Sequence, residues 1–473
     1  MFKQIKRLGG DSLLFALMNV GTKLIAFLML PVYTHYLSPG EMGIMENIDA
    51  ISSILTFVII FGTDSALAYF FYSTDNKELK ERYVQTVLSF RLYLASLFLI
   101  VFLLFAKPLS FLLLGMSGYE KLFYLTGIIL VFEAITTVIL TYFRFQFKSL
   151  KVVIYTVLQL GAVAVISFLL LKYFSYNVDA IFWARFYSLI LISIALFSTL
   201  SKLLRIKIEK DLLKKLLVYG APLVPASLAF WVITFSNRIF LTKFESLDSV
   251  GIYGIAMKIG MVITLLTSSV QMAWRPYSMS IREKPDADRI YAGIFYIIFI
   301  IGMLGITMVA QLSPLILKMM MINPEYIEAR NYIAFLSMSS FLSFYYLIIS
   351  VGLFLKEKTG AISKYVGISA VISVILNIVL IPLFSIWGAV AALIISYLFV
   401  NVIIFKKSQE VYYIPVKPGK MIIVYLATLI SIGMITFLYN NPQLNAILHV
   451  VPWFLLLGSI YLTGIWKAIF DKK

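Results

Sequence analysis

Apolar blocks of about twenty residues recur along the whole of this chain, separated by short clusters of lysine and arginine. A helix of that length crosses ~30 Å of hydrocarbon, whereas the blocks are about twice too long for the strands of a membrane barrel. Lipid offers the backbone no hydrogen-bond partner, so each block is predicted to be a helix. The spans are placed near 12–37, 43–71, 83–106, 122–143, 150–173, 178–201, 217–241, 249–273, 290–317, 327–354, 361–381, 386–405, 420–439 and 446–468. Only 13% of the residues are charged; a water-soluble domain carries roughly a quarter. The expected fold is therefore all-α and polytopic, with about fourteen transmembrane helices.

The formal charge of +17 would suit nucleic acid if it formed a face, but the cations sit between apolar blocks. Counted loop by loop, twenty-nine Lys and Arg fall on one side, six on the other and five inside spans. Basic residues mark cytoplasmic loops, so both termini are expected in the cytoplasm and nucleic acid is not an expected partner. The basic opening MFKQIKRLGGDS runs straight into a long apolar segment, which predicts a retained first span rather than a cleaved leader.

Internal similarity at a spacing of about 208 residues suggests duplication. Ser38, Gly43 and Ile44 recur as Ser246, Gly251 and Ile252, and Asn177–Ala180 parallels Ile386–Ala389. Six spans per repeat is an even number, so both copies enter from one side. The predicted organisation is a six-helix lobe at 1–201, a basic cytoplasmic linker at 202–215, a second six-helix lobe at 216–405 and two further helices at 406–473. Parallel repeats of this kind place a cavity about an axis along the membrane normal.

Ionisable groups within spans are the candidate functional residues, because each costs ~2.5–3.5 kcal/mol or more in lipid. Lys23 and Lys258 lie near mid-span, Arg91 and Arg185 about a third of the way in, and Arg238 near a span end. Asn19 lies one turn from Lys23, with Pro31 expected to bend that span. In the second span Glu46, Asp49, Ser53 and Thr56 share one helical stripe, followed by Asp64; Trp231, Thr234 and Arg238 share another. Structural pairing is the alternative use: Glu46 or Asp49 would neutralise Lys23, and Glu133 would neutralise Arg91. The functional use is an anion-accepting chamber with a titratable rim.

No phosphate-binding Gly-x-x-x-x-Gly-Lys-Ser/Thr loop, Gly-x-Ser-x-Gly elbow or paired-histidine motif occurs. With two histidines and no cysteine, no metal, disulfide or other cofactor is expected. No connection is long enough to fold as a domain, so any site lies in the membrane or at its edge, and a non-enzymatic transporter is expected.

At the central junction the chain reads Lys214-Lys-Leu-Leu-Val-Tyr-Gly-Ala-Pro-Leu-Val-Pro-Ala-Ser-Leu-Ala-Phe-Trp231, then Ser236-Asn-Arg238. Together with Lys23, Leu30-Pro-Val-Tyr33, Leu37-Ser-Pro39, Gly43 and Phe143-Arg-Phe-Gln146, this resembles the polysaccharide flippase branch of the multidrug/oligosaccharidyl-lipid/polysaccharide exporter superfamily. Asn237 stands where that family carries an acidic residue. The resemblance implies a V-shaped bacterial inner-membrane exporter, acting as a monomer, for undecaprenyl-diphosphate-linked oligosaccharide, coupled to H+ or Na+ and serving polysaccharide polymerase machinery. Lys23, Lys258, Arg238, Arg91, Arg185 and Asn19 are then candidates for the diphosphate and sugars, and Asp49, Asp64, Glu46 and Glu133 for ion coupling. A lipid II flippase, a multidrug antiporter or a membrane glycan polymerase or ligase are the other readings.

Overall fold

The computed structural model describes residues 2–174, 176–204, 208–320, 323–358, 360–444 and 446–467, with the side chains at 2–13, 15, 16, 19, 266, 269, 272 and 446 outside the description. Every regular element among the described residues is a helix. Eleven are long and apolar enough to cross a membrane, or twelve if Asp179–Ala195 and Phe197–Leu203, bent by 73°, form one span. Among the described residues these account for eleven or twelve of the fourteen expected spans. In the predicted final span, 446–468, a 3-10 turn over Ala446–Val450 runs into the α-helix Val451–Thr463, forming a shorter apolar helix over Ile447–Thr463. The predicted first span, 12–37, falls on a helix over Phe2–Tyr36 that runs through Pro31 and ends one residue short of the predicted boundary.

The first half consists of α1 (Phe2–Tyr36), α2 (Pro39–Ile60), α3 (Thr63–Tyr72), α4 (Lys77–Leu114), α5 (Glu120–Phe145), α6 (Ser149–Tyr173), α7 (Asp179–Ala195), α8 (Phe197–Leu203) and α9 (Lys210–Gly220). The second half consists of α10 (Val224–Phe244), α11 (Leu247–Gly260), α12 (Ile263–Ser280), α13 (Ala287–Met319), α14 (Arg330–Ile349), α15 (Val351–Leu355), α16 (Gly360–Phe384), α17 (Ile386–Val411), α18 (Pro418–Asn440) and α19 (Val451–Thr463). Backbone proximity divides the chain into two units: residues 1–231 with 246–251, and residues 232–245 with 252–473.

The duplication is visible in the helix starts. Lys210 follows Phe2 by 208 residues, Leu247 follows Pro39 by 208, Ala287 follows Lys77 by 210, and Ile386 follows Asp179 by 207. Packing partners repeat too: α4 with α5, α6 with α7 and α5 with α7 in the first unit; α13 with α14, α16 with α17 and α14 with α17 in the second. The matched serines do the same job. Ser38 Oγ accepts the amide of Glu41 at 3.3 Å while the Glu41 carboxylate accepts the Ser38 amide at 2.9 Å, a reciprocal cap with Pro39 in the first turn. Ser246 Oγ accepts the amide of Ser249 at 3.2 Å, starting α11 in the same way. These caps begin α2 at Pro39, four residues before hydropathy alone places it.

Gly43 and Gly251, the matched glycines, meet the same helix crossing from opposite sides. A Cβ on Gly43 would overlap the carbonyl oxygen of Leu247, and one on Gly251 would overlap that of Pro39. Small residues permit this backbone approach, which is a principal source of helix association in lipid.

In the first unit the buried core joins Leu67 and Phe71 of α3, Val84 and Leu88 of α4, Val138 and Tyr142 of α5, Val152 of α6, Ile192 of α7, Leu203 of α8 and Leu216 of α9. Large apolar side chains also remain outward, Leu104 at 70% exposure and Leu112 at 75%, and in the second unit Val371 at 61%. Such exposure in water would be an aggregation hazard; in lipid it is the solvent-facing surface.

Candidate functional site

Charge collects in the first unit where α1, α2, α5 and α7 approach one another. The Arg185 guanidinium of α7 grips the Asp49 carboxylate of α2 with both terminal nitrogens, Nη2 lying 3.0 Å from Oδ2. Both side chains are about one-third exposed. Two parallel charge-assisted bonds fix the orientation of each partner. The guanidinium also lies 5.3 Å from the Phe182 ring centre, a cation–π contact from its own helix. Glu133 of α5 and Tyr33 of α1 are near enough to sense the charges of both Arg185 and Asp49. Glu46, one turn before Asp49, is buried at 4% exposure. The Arg185 cation thus stands between two carboxylates, Asp49 and Glu133, a cluster whose net charge changes with a single proton or metal cation.

A second pair repairs a break. After Ile60 the backbone turns left-handed at Phe61 and Gly62, with φ of 44° and 71°, before α3 resumes at Thr63. Gly62 is also needed because a Cβ there would overlap the Gly220 carbonyl. Arg91 of α4, fully buried, donates to Thr63 Oγ1 from Nε at 3.0 Å and from Nη2 at 2.7 Å, and Nη2 reaches Asp64 Oδ1 at 2.7 Å. Breaking a helix within the membrane frees backbone groups that need new partners, and Arg91 ties the resumed segment down. Glu133, considered above as the partner of Arg91, stands instead with Arg185.

In the second unit Arg238 is 4% exposed, with its guanidinium 5.0 Å from the Phe235 ring centre and 5.6 Å from that of Tyr253. It donates to the Thr234 carbonyl at 3.2 Å, while the Thr234 hydroxyl shares a 2.6 Å hydrogen bond with Tyr397. Asn237, in place of an acidic residue, donates its amide to the Tyr253 hydroxyl. An amide there leaves the aromatic box around Arg238 without a neighbouring carboxylate from that position. Lys258 of α11 and Lys23 of α1 are both partly buried. The Asn19 side chain lies outside the described residues.

The polar stripe predicted on α2 resolves residue by residue. Asp49 meets Arg185, Ser53 accepts from the Trp231 indole at 2.7 Å, and Thr56 returns to the Ser52 carbonyl at 2.9 Å. Tyr33 closes the Leu30–Tyr33 stretch quoted from sequence, whereas Tyr253, Tyr397 and Thr63, which complete the other clusters, were not singled out. With twenty-nine tyrosines in the chain, no spacing distinguishes Tyr253 and Tyr397.

Comparison with known proteins places these features. The family of polysaccharide biosynthesis proteins matches residues 8–282. A protein of the Lsg locus of Haemophilus influenzae is 21% identical over 377 residues, covering 77% of this chain and 89% of that protein. An uncharacterized membrane protein of Methanocaldococcus jannaschii is 26% identical over 268 residues, covering 54% of this chain and 51% of that protein, so the chain spans about half the length of that relative. Among solved structures, an inward closed lipid II flippase superposes with a TM-score of 0.73 at 12% identity, covering 97% of this chain and 98% of that one. An inward-facing multidrug resistance transporter of the MOP superfamily superposes at 0.58 with 16% identity, covering 83% and 93%. At such identities the structural likeness is one of fold. With more than half its length matched by the family and its helices arranged as in the MOP exporters, this multi-pass membrane chain belongs to the polysaccharide biosynthesis protein family.

Proposed function

We propose that this protein is a flippase that carries undecaprenyl-diphosphate-linked oligosaccharide from the cytoplasmic to the outer leaflet of a bacterial cytoplasmic membrane. The observation that carries the reading is the set of intramembrane cations in a chain of the polysaccharide biosynthesis family: Lys23 and Arg185 in the first unit, Arg238 and Lys258 in the second. A diphosphate in a low-dielectric setting needs such cations, and buried ones are otherwise selected against. In this reading those four residues, with Asn19, serve the diphosphate and sugars. Asp49, Glu46 and Glu133 serve coupling to H+ or Na+, because the Asp49 and Glu133 pair around Arg185 changes charge with one cation bound and Glu46 lies one turn before Asp49. Arg91 and Asp64 serve the α2–α3 break. The termini are cytoplasmic by the lysine and arginine count, and transport proceeds by alternating access as a monomer supplying polysaccharide polymerase machinery, with no chemistry on the glycan.

The fold likeness to a lipid II flippase supports a second reading in which the cargo is a peptidoglycan precursor. Lipid extracts from cells depleted of the protein separate the readings. The first expects a polyprenyl-diphosphate oligosaccharide to accumulate several-fold, with surface polysaccharide lost. Accumulation of a muropeptide lipid, or drug sensitivity with glycans intact, would contradict it.

A further inference from the structure

Outside the charge clusters, the first unit holds a cavity of about 320 Å³ lined by Lys77 at the start of α4, Tyr142 and Gln146 at the end of α5, Lys148 in the following turn, and Thr199 and Lys202 of α8. At ~30 Å³ per water it holds about ten waters, enough room for a glycerol phosphate. Glu81 is the carboxylate of its lining, and that group lies 3.4 Å from the Tyr142 hydroxyl. Three lysines against one carboxylate leave the cavity cationic. Lys148 Nζ is held at 2.6 Å by Gln146 Oε1 and lies 5.9 Å from the Phe143 ring centre, so its charge is positioned at the wall. Neither Lys77 nor Lys202 is ion-paired among the described residues.

The depth of the cavity is given by its own walls. α8 turns 73° away from α7, so a membrane-crossing α7 leaves α8 running close to the membrane plane. Phe197, Leu150 and Phe147 beside it are 65%, 58% and 48% exposed. Exposed aromatic and aliphatic side chains interleaved with lysines are the pattern of a headgroup-level surface, apolar toward the acyl chains and basic toward the phosphates. Basic residues at a loop end are common for topology alone. A recess with hydroxyl and amide groups in its lining is what a phosphate ester requires in addition, and basic pockets between membrane helices take such headgroups.

We propose that this cavity is a binding site for the phosphate of an anionic glycerophospholipid in the leaflet that meets the start of α4, separate from the cations assigned to the transported diphosphate. The test uses the full chain released from nanodiscs containing equal phosphatidylcholine and phosphatidylglycerol, with retained lipid read by native mass spectrometry. Wild type is expected to retain phosphatidylglycerol preferentially by on the order of tenfold, and K77Q/K148Q/K202Q to lose most of that preference. K77R/K148R/K202R keeps the charge and is expected to keep the preference. K356Q/K358Q/K364Q removes three lysines elsewhere and is expected to retain lipid as wild type does. Equal retention in the glutamine triple and wild type overturns the proposal. So does a wild-type protein that binds inorganic phosphate but shows no preference for the anionic lipid.

Discussion

Arg185→Ala is expected to cut glycan export on the order of a hundredfold and to lower thermal stability more than Asp49→Asn does. Removing the guanidinium leaves Asp49 and Glu133 with no compensating cation from that position. An uncompensated charge in a span costs ~2.5–3.5 kcal/mol, and each 1.36 kcal/mol is a factor of ten. Removing Asp49 leaves Arg185 with Glu133 still within electrostatic reach, so the milder loss of stability follows from the geometry. The double variant Arg185→Ala with Asp49→Ala should recover most of the stability without recovering export. Recovered stability follows because a charge pair held within a span is dearer to break than to delete. Export stays low because the cation-responsive carboxylate is gone. Dye-monitored melting and surface-glycan staining, taken on the same three variants, check both halves. Export restored in the double variant would reduce the pair to a structural role.

The second large effect concerns the glycine crossing. Gly43→Val and Gly251→Val each place side-chain atoms inside a facing backbone carbonyl, which cannot rotate aside as a side chain would. Overpacking of this kind costs typically 1–3 kcal/mol, and a backbone obstacle puts these positions at the upper end. Helix propensity would by itself favour replacing glycine, so the steric term has to dominate for the prediction to hold. Because both contacts cross the same pair of helix starts, separating the helices for one Cβ makes room for the other. The double variant should therefore destabilise by clearly less than the sum of the singles. Melting temperatures of the two singles and the double measure this coupling, and strict additivity would mean the contacts are independent.

The long helices were legible because hydropathy reports length and apolarity, and these decide whether a segment can cross lipid. The duplication was legible through Ser38 and Ser246, whose caps repeat, and through Gly43 and Gly251, whose backbones touch. The break at Phe61–Gly62 was not, because the apolar run 43–71 continues through it and hydropathy carries no backbone angle. Gly62 was the available signal, a residue suited to the left-handed turn that ends a helix. The 73° turn after α7 was hidden in the same way. In the candidate site the sequence supplied the charged residues and the stripe on α2. It did not supply the pairings, since which carboxylate meets Arg91 and which meets Arg185 is decided by how separate helices pack.

Translocation by the purified chain tests the central claim most directly. Proteoliposomes are prepared with a labelled polyprenyl-diphosphate oligosaccharide in both leaflets, and the fraction reachable by an impermeant reagent is followed over time. The account predicts that the protected half becomes reachable well above the protein-free rate, faster under an imposed H+ or Na+ gradient, and not with Arg185→Ala. A protected half that stays protected under both gradients, in vesicles where the chain is folded, would contradict it.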